Sequence, residues 1–242
     1  MTSVQLYSVR TRFAEDPEDT LRRLAGIGFT QVEPYSLVEN LAALRVGLPA
    51  AGLTAPTAHA RLLDVDQAEV FAAAVECGVG VVIDPLVRPE KWQDPADVAA
   101  TAAALNEAAK AGAEHGIQVG YHNHWWELES RIDGRHALEV FADQLDPSVR
   151  LEVDTYWATA GGADVPELLR RLGDRVHAIH VKDGNLATDA TGQVPAGQGS
   201  VPVADVLAAA PNALRVVEFD QFDGDIFEAV AASYGYLAGV GR

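Results

Sequence analysis

The feature that most constrains this chain is a rhythm: short β-rich runs recur about every 30 residues, separated by Ala- and Leu-rich helical stretches. The runs are read at Val4–Ser8, Gln31–Tyr35, Thr54–Ala60, Val79–Asp84, Ile117–Asn123, Arg150–Asp154, Val176–Lys182 and Arg215–Phe219. A chain of 242 residues is close to the ~250 of a (β/α)8 barrel. The spacing therefore predicts an α/β fold, a (β/α)8 barrel occupying 1–242 as a single domain. Helix starts agree with it. Asp16-Pro17-Glu18-Asp19, Asp94-Pro95-Ala96-Asp97 and Asp164-Val165-Pro166-Glu167 each place a capping acid, a first-turn proline and further acids ahead of an apolar-periodic stretch. Gly116 and Gly173 are natural stops, and a last amphipathic helix runs through Ile226, Val230 and Tyr234. A doubly wound open sheet is disfavoured because no strand run leads into a Gly-rich dinucleotide fingerprint. Gly197-Gln198-Gly199 reads instead as a tight loop before a helix starting near Val203.

The late strand runs carry chargeable residues near their C-terminal ends: His122, Asp154, His180 and Glu218. Side chains alternate along a strand, so Ile179 and Val181 face the helices while His180 and Lys182 face the barrel axis. The same parity turns Glu152 with Asp154, and Glu218 with Asp220, inward; Glu33 and His59 fit the scheme on earlier strands. Any one of these is ordinary as an inward polar residue. Two carboxylates and two imidazoles buried together at matching strand ends are costly without a counter-ion. One divalent cation resolves the cost, and mixed His/carboxylate ligation suits Mn, Co, Zn or Fe(II) better than Ca or Mg.

Charge narrows the partners. With 35 acidic against 18 basic residues the formal charge is −17, which repels phosphate backbones and anionic lipid and argues against nucleic-acid and membrane binding. The sole cysteine, Cys77, allows no intrachain disulfide and reads as a buried structural thiol. The first residues lack a signal-peptide pattern, and no apolar run approaches the ~18 residues of a membrane span. A soluble, cytoplasmic protein is expected, and a homo-oligomer is allowed.

VQLYSVR, YHNHWWE, LEVDTYW, AIHVKD, GQGSV and VVEFDQ resemble motifs of the sugar-phosphate isomerase/epimerase family, whose members share a xylose-isomerase-like TIM barrel and include inosose dehydratase-type enzymes. The resemblance runs from the first strand to the last helix. It implies a metal held at the strand ends by Glu, Asp, His and Glu, with manganese the favoured ion. By position, Asp154 of LEVDTYW, His180 of AIHVKD and Glu218 of VVEFD match the last three ligands. The first departs from the pattern, because YHNHWWE offers His122 where a glutamate is usual, or Glu127 from the loop beyond. Inward parity selects His122 and leaves Glu127 for the substrate pocket.

Other candidates have two roles each. Lys182 is a donor to a developing oxyanion, or a salt-bridge partner of Asp154 or Asp183. His124 is an acid/base group or orients a ligand. Glu33 and His59 are acid/base or substrate groups, or inward packing. Trp125, Trp126 and Trp157 cluster after two ligand strands, where aromatic faces suit a sugar-like substrate, with core packing as the alternative. His115 and His136 lie in helical contexts and are expected at the surface. The expected activity is a metal-dependent isomerase or epimerase of a small sugar or keto-sugar, acting through an enediolate, with Glu218 as ligand and base. Alternatives are a keto-inositol or keto-sugar dehydratase or lyase, and a non-catalytic sugar-binding barrel. An apurinic endonuclease on the same barrel would need a larger His/Asp/Glu cluster and a basic face.

Overall fold

The computed structural model describes residues 2–240. Its sheet runs, in spatial order, Thr2–Val4, Leu214–Val217, Val176–Val181, Arg150–Asp154, Gln118–His122, Val81–Asp84 and Thr57–His59, with every neighbouring pair parallel. The gap between the two ends is closed by residues 31–33, where Gln31 bridges Thr54 and Glu33 bridges Gln5. The Leu6 N–H donates to the Glu33 carbonyl and the Glu33 N–H to the Val4 carbonyl. The ring is an eight-membered parallel barrel, which leaves no open sheet edge.

The predicted strands all reappear, trimmed, and two differ for local reasons. The first lies earlier than read, at Thr2–Val4, and Leu6–Val9 forms a 3-10 turn instead. There the Gln5 side chain accepts from the Tyr7 N–H, which turns the chain out of the ladder. The second shrinks to its two bridges; Pro34 has no N–H to continue pairing, and Ser36 turns left-handed at φ 44°.

Helices pack outside the barrel and begin where the sequence signals them. Asp16, Asp94 and Asp164 accept from the N–H groups of Asp19, Ala96 and Glu167 at the starts of Pro17–Ile27, Pro95–Glu114 and Val165–Leu172. Their apolar faces meet the outward side chains of the strands in one core, which takes in Tyr121, Val153, Ile179 and Val181. Among the described residues no helix is long and apolar enough to cross a membrane.

Two expectations change. His136 is buried, its Nδ1 hydrogen-bonded to the Leu128 carbonyl, because it ends a small hairpin, Arg131–Ile132 with Arg135–His136, folded onto the barrel; His115 is exposed as expected. Cys77 is only half-buried, being the last residue of the helix Gln67–Cys77. The Gly-Gln-Gly loop has a structural occupant: the Asp183 carboxylate accepts from the N–H groups of Gly184, Gly197, Gly199 and Val201. A Cβ on Gly199 would collide with that carboxylate and with the Gly184 backbone. Asp183 therefore anchors a loop and is not the partner of Lys182.

Candidate metal centre

The strands deliver their inward side chains to the C-terminal mouth. His122 ends Gln118–His122, Asp154 ends Arg150–Asp154, His180 lies one residue from the end of Val176–Val181, and Glu218 follows Leu214–Val217. Each offers one ligand atom, and the four atoms lie within 4.8 Å of one another. All four side chains are buried, with Glu218 the most open at 5%.

Beneath this quartet lies a second layer. Glu152, two residues before Asp154, puts Oε2 at 2.6 Å from His59 Nε2 and 3.0 Å from both His122 Nδ1 and His180 Nε2. Glu33 Oε1 is 2.7 Å from His180 Nε2 and 3.3 Å from His59 Nε2, and Gln5 and Thr57 hold the Glu33 carboxylate in place. His59, His122, Glu152 and His180 form a second group with metal-compatible spacing. His122 and His180 are shared and present a different nitrogen to each layer. Toward the mouth, His122 Nε2 is 3.7 Å from Asp154 Oδ2 and His180 Nδ1 is 2.6 Å from Glu218 Oε2.

Lys182 closes the mouth side, its Nζ 2.8 Å from Asp154, 2.6 Å from Glu218 and 2.8 Å from Asp220. Burial alone would lower this amine, but the three acids outweigh it and hold it well above its usual range. Burial would likewise raise Glu218, yet Lys182 and His180 keep it well below the usual carboxylate range. Asp154 is pushed up to about 6 by burial, against the pull of Lys182 and His180. His122 is driven down to about 4, mainly by burial, with His180 and His59 adding to the fall against its hydrogen bond to the Glu152 carboxylate. His180 and His59 rise despite burial because the surrounding carboxylates dominate.

The donor set fits a divalent ion. Asp154 Oδ2 is buried and in ionic contact with Lys182, but makes no aligned hydrogen bond. The imidazoles of His122 and His180 each turn one nitrogen to the quartet while a floor carboxylate fixes the other, the pattern that orients ligating histidines. Among the described residues, five carboxylates, from Glu33, Glu152, Asp154, Glu218 and Asp220, cluster here, and the one lysine in ionic contact with them, Lys182, meets three.

A cleft of about 540 Å³ reaches two of the quartet, His122 and Glu218, with His59, His124 and Asp220 lining it beside them; Asp154 and His180 do not line it. His124 lies in it, stacked on Trp126 at 4.4 Å. Glu127 does not line it: fully buried behind His124, it accepts from the Tyr121 hydroxyl (2.7 Å) and the His124 N–H (2.9 Å). Burial pushes its carboxyl up to about 8, against those hydrogen bonds. The tryptophans do not line the cleft either, although Trp157 lies 5.4 Å from Lys182 Nζ and stacks with His124 at 6.4 Å. Trp125 and Trp126 meet edge-to-face and pack on the core; Trp157 is 5% exposed beside Tyr156. The aromatic rings lining the cleft are those of Tyr7 and Tyr35. Parity marked Glu152 as inward but gave it no role; its contact with three histidines depends on strands far apart in sequence. Arg61 carried no sequence signal, and Tyr7 carried only its place in VQLYSVR.

A model of the xylose isomerase-like TIM barrel family matches residues 2–213. The chain belongs to that family. The inosose dehydratase of Geobacillus kaustophilus is 29% identical over 124 residues, which is 47% of this chain and 37% of the relative. The chain thus matches little more than a third of that relative's length. A sugar phosphate isomerase/epimerase from Parabacteroides distasonis superimposes with a TM-score of 0.84 at 22% identity, covering 98% of this chain and 92% of the other. The probable 3-DHS dehydratase of Bacillus anthracis gives 0.78 at 14% identity, covering 98% of each chain. At such identities these two likenesses speak for the fold.

Proposed function

We propose that the protein is a metal-dependent isomerase or epimerase of a small sugar or keto-sugar. The observation that carries this reading is the buried His122–Asp154–His180–Glu218 quartet, two of whose members, His122 and Glu218, line an open cleft. These four residues would hold one divalent ion, with manganese first among Mn, Co, Zn and Fe(II). When bound, it supplies Lewis acidity that eases enolisation of a carbonyl substrate. Glu218, kept ionised by Lys182 and His180, takes the proton α to the carbonyl, although the same neighbours reduce its basicity. Lys182, held by three carboxylates, places a fixed positive charge behind it and stabilises the developing oxyanion. His59 and His124 line the cleft and are the groups placed to return the proton on another carbon or face. Glu33 lies beneath His59 and acts through it.

A dehydratase or lyase shares the proton removal and differs in expelling a β-hydroxyl; the inosose dehydratase relative supports keeping it as the second reading. An apurinic endonuclease loses one objection, since the cluster with Glu33, His59 and Glu152 is larger than the sequence suggested. The other objection stands: the chain carries −17 and would repel a phosphate backbone.

The test is solvent-deuterium incorporation, followed by NMR, into ketoses, keto-inositols and 3-keto-sugars with metal-loaded protein. Wild type should label the α-carbon, and Glu218→Gln should slow labelling by roughly 10²-fold or more. Loss of water from the product would select the dehydratase. Tight binding of a keto-sugar without any exchange would leave a non-catalytic binding barrel.

A further inference from the structure

The cleft is larger than the quartet needs, and part of its wall is apolar. At about 540 Å³ it lies mid-range among pockets that enclose a drug-sized ligand, more than one hexose ring fills. Away from the quartet its apolar lining comes from Tyr7, Tyr35, Val38, Val65, Val70 and Leu86, interspersed with polar and charged residues. Tyr7 and Val65 are 38% and 44% exposed, and they stand at the opening of a concave site. Tyr7 and Tyr35 meet edge-to-face at 5.6 Å and both line the cleft, with the Arg10 guanidinium over the Tyr7 ring at 4.1 Å.

The charges of the same wall point the same way. Arg61 is the one arginine or lysine lining the cleft among the described residues, and it shares the mouth with Glu39, Asp66 and Glu69. Glu218 and Asp220 add two more acids at the base. An anionic group would meet this excess of carboxylates, in a chain whose overall field also repels anions.

We propose that the outer cleft is a subsite for an apolar substituent, so that the substrate is an uncharged sugar derivative bearing an aryl or alkyl group rather than a sugar phosphate. This deepens the sugar reading above and rests on it. The polar, carbonyl-bearing ring lies over the quartet, and the substituent lies against Tyr7, Tyr35 and Val65.

Isothermal titration calorimetry with unreacting probes tests it without turnover: methyl and phenyl β-glycosides of glucose and galactose, and the two hexose 6-phosphates, against metal-loaded protein. A phenyl glycoside should bind at least about tenfold more tightly than its methyl counterpart, the scale of burying a ring's apolar surface, and the 6-phosphates should bind more weakly than either. Val65→Asp, at an exposed position that folding tolerates, should abolish most of the phenyl advantage while leaving methyl glycoside affinity unchanged. Equal binding of phenyl and methyl glycosides, or a 6-phosphate as the tightest probe, would overturn the subsite and leave the sugar reading intact. Binding of none of the saccharides would sink the sugar reading, and the subsite with it.

Discussion

The two charged layers at the barrel mouth solve one problem in different ways. In the outer layer Asp154, Glu218 and Asp220 surround the ammonium of Lys182, all within 2.8 Å. In the inner layer the ionic partners of Glu33 and Glu152 are imidazoles alone, those of His59, His122 and His180, with Gln5 and Thr57 adding neutral hydrogen bonds to Glu33. A lysine in such company keeps its charge, whereas an imidazole's charge is conditional on a proton or a metal. The outer layer thus holds a permanent cation that offsets part of its three carboxylates, whereas the inner layer holds only imidazoles whose charge is conditional. The shared histidines, each with one nitrogen in either layer, couple the two.

Removing the permanent cation should therefore have the largest effect. Lys182→Met leaves buried acids uncompensated, and metal-free protein should lose about 3–5 kcal/mol in urea unfolding. Added divalent metal should restore part of that loss, since the ion would lie against the same Asp154 and Glu218. A loss below about 1 kcal/mol, the scale of a surface ion pair, would remove the contrast between the layers.

Glu127 sharpens the comparison as a buried acid with neither kind of partner. Its carboxyl is raised from 4.5 to about 8, so the folded state binds a proton that the unfolded chain releases. Its stabilising contribution is full below about pH 4.5 and is lost as pH rises through about 8, with a slope of at most about 1.4 kcal/mol per pH unit for one proton. Urea midpoints of metal-free wild type between pH 5 and 8 should carry this fall, and Glu127→Gln should lack it. An identical pH profile in the variant would show that Glu127 is ionised in the fold.

The smallest effect belongs to the floor. Glu152→Gln keeps the shape but replaces the acceptor that fixes three imidazoles, and metal affinity should drop about 10–100-fold with the quartet intact. His180→Ala should instead leave little metal on the protein. Elemental analysis after equilibration at graded free metal distinguishes the two, and an unchanged affinity in Glu152→Gln would make the inner layer mere packing.

Much of the barrel was legible because it rests on local rules. The βα rhythm, the Asp caps at 16, 94 and 164, and the alternation that turns His180 inward and Ile179 outward are all set within a few residues. The quartet was legible for the same reason, as parity at strand ends. The missed features were those that depend on unlike strands meeting. The tryptophans look like a sugar platform in sequence, but the turn after His122 folds Trp125 and Trp126 onto the core and stacks His124 on Trp126. His136 reads as helical until the hairpin carries it inside.

The sequence by itself determined which side chains point into the barrel and which strands carry them, because backbone pleat and capping chemistry act over neighbouring residues. Only the tertiary structure decided what those side chains meet. Closing the ring through residues 31–33 brings Glu33 to His180, 147 residues away, and packs Glu152 against histidines of three other strands. That closure also brings Tyr7 and Val65 to one cleft. Contacts of this kind depend on barrel closure, and no local pattern encodes it.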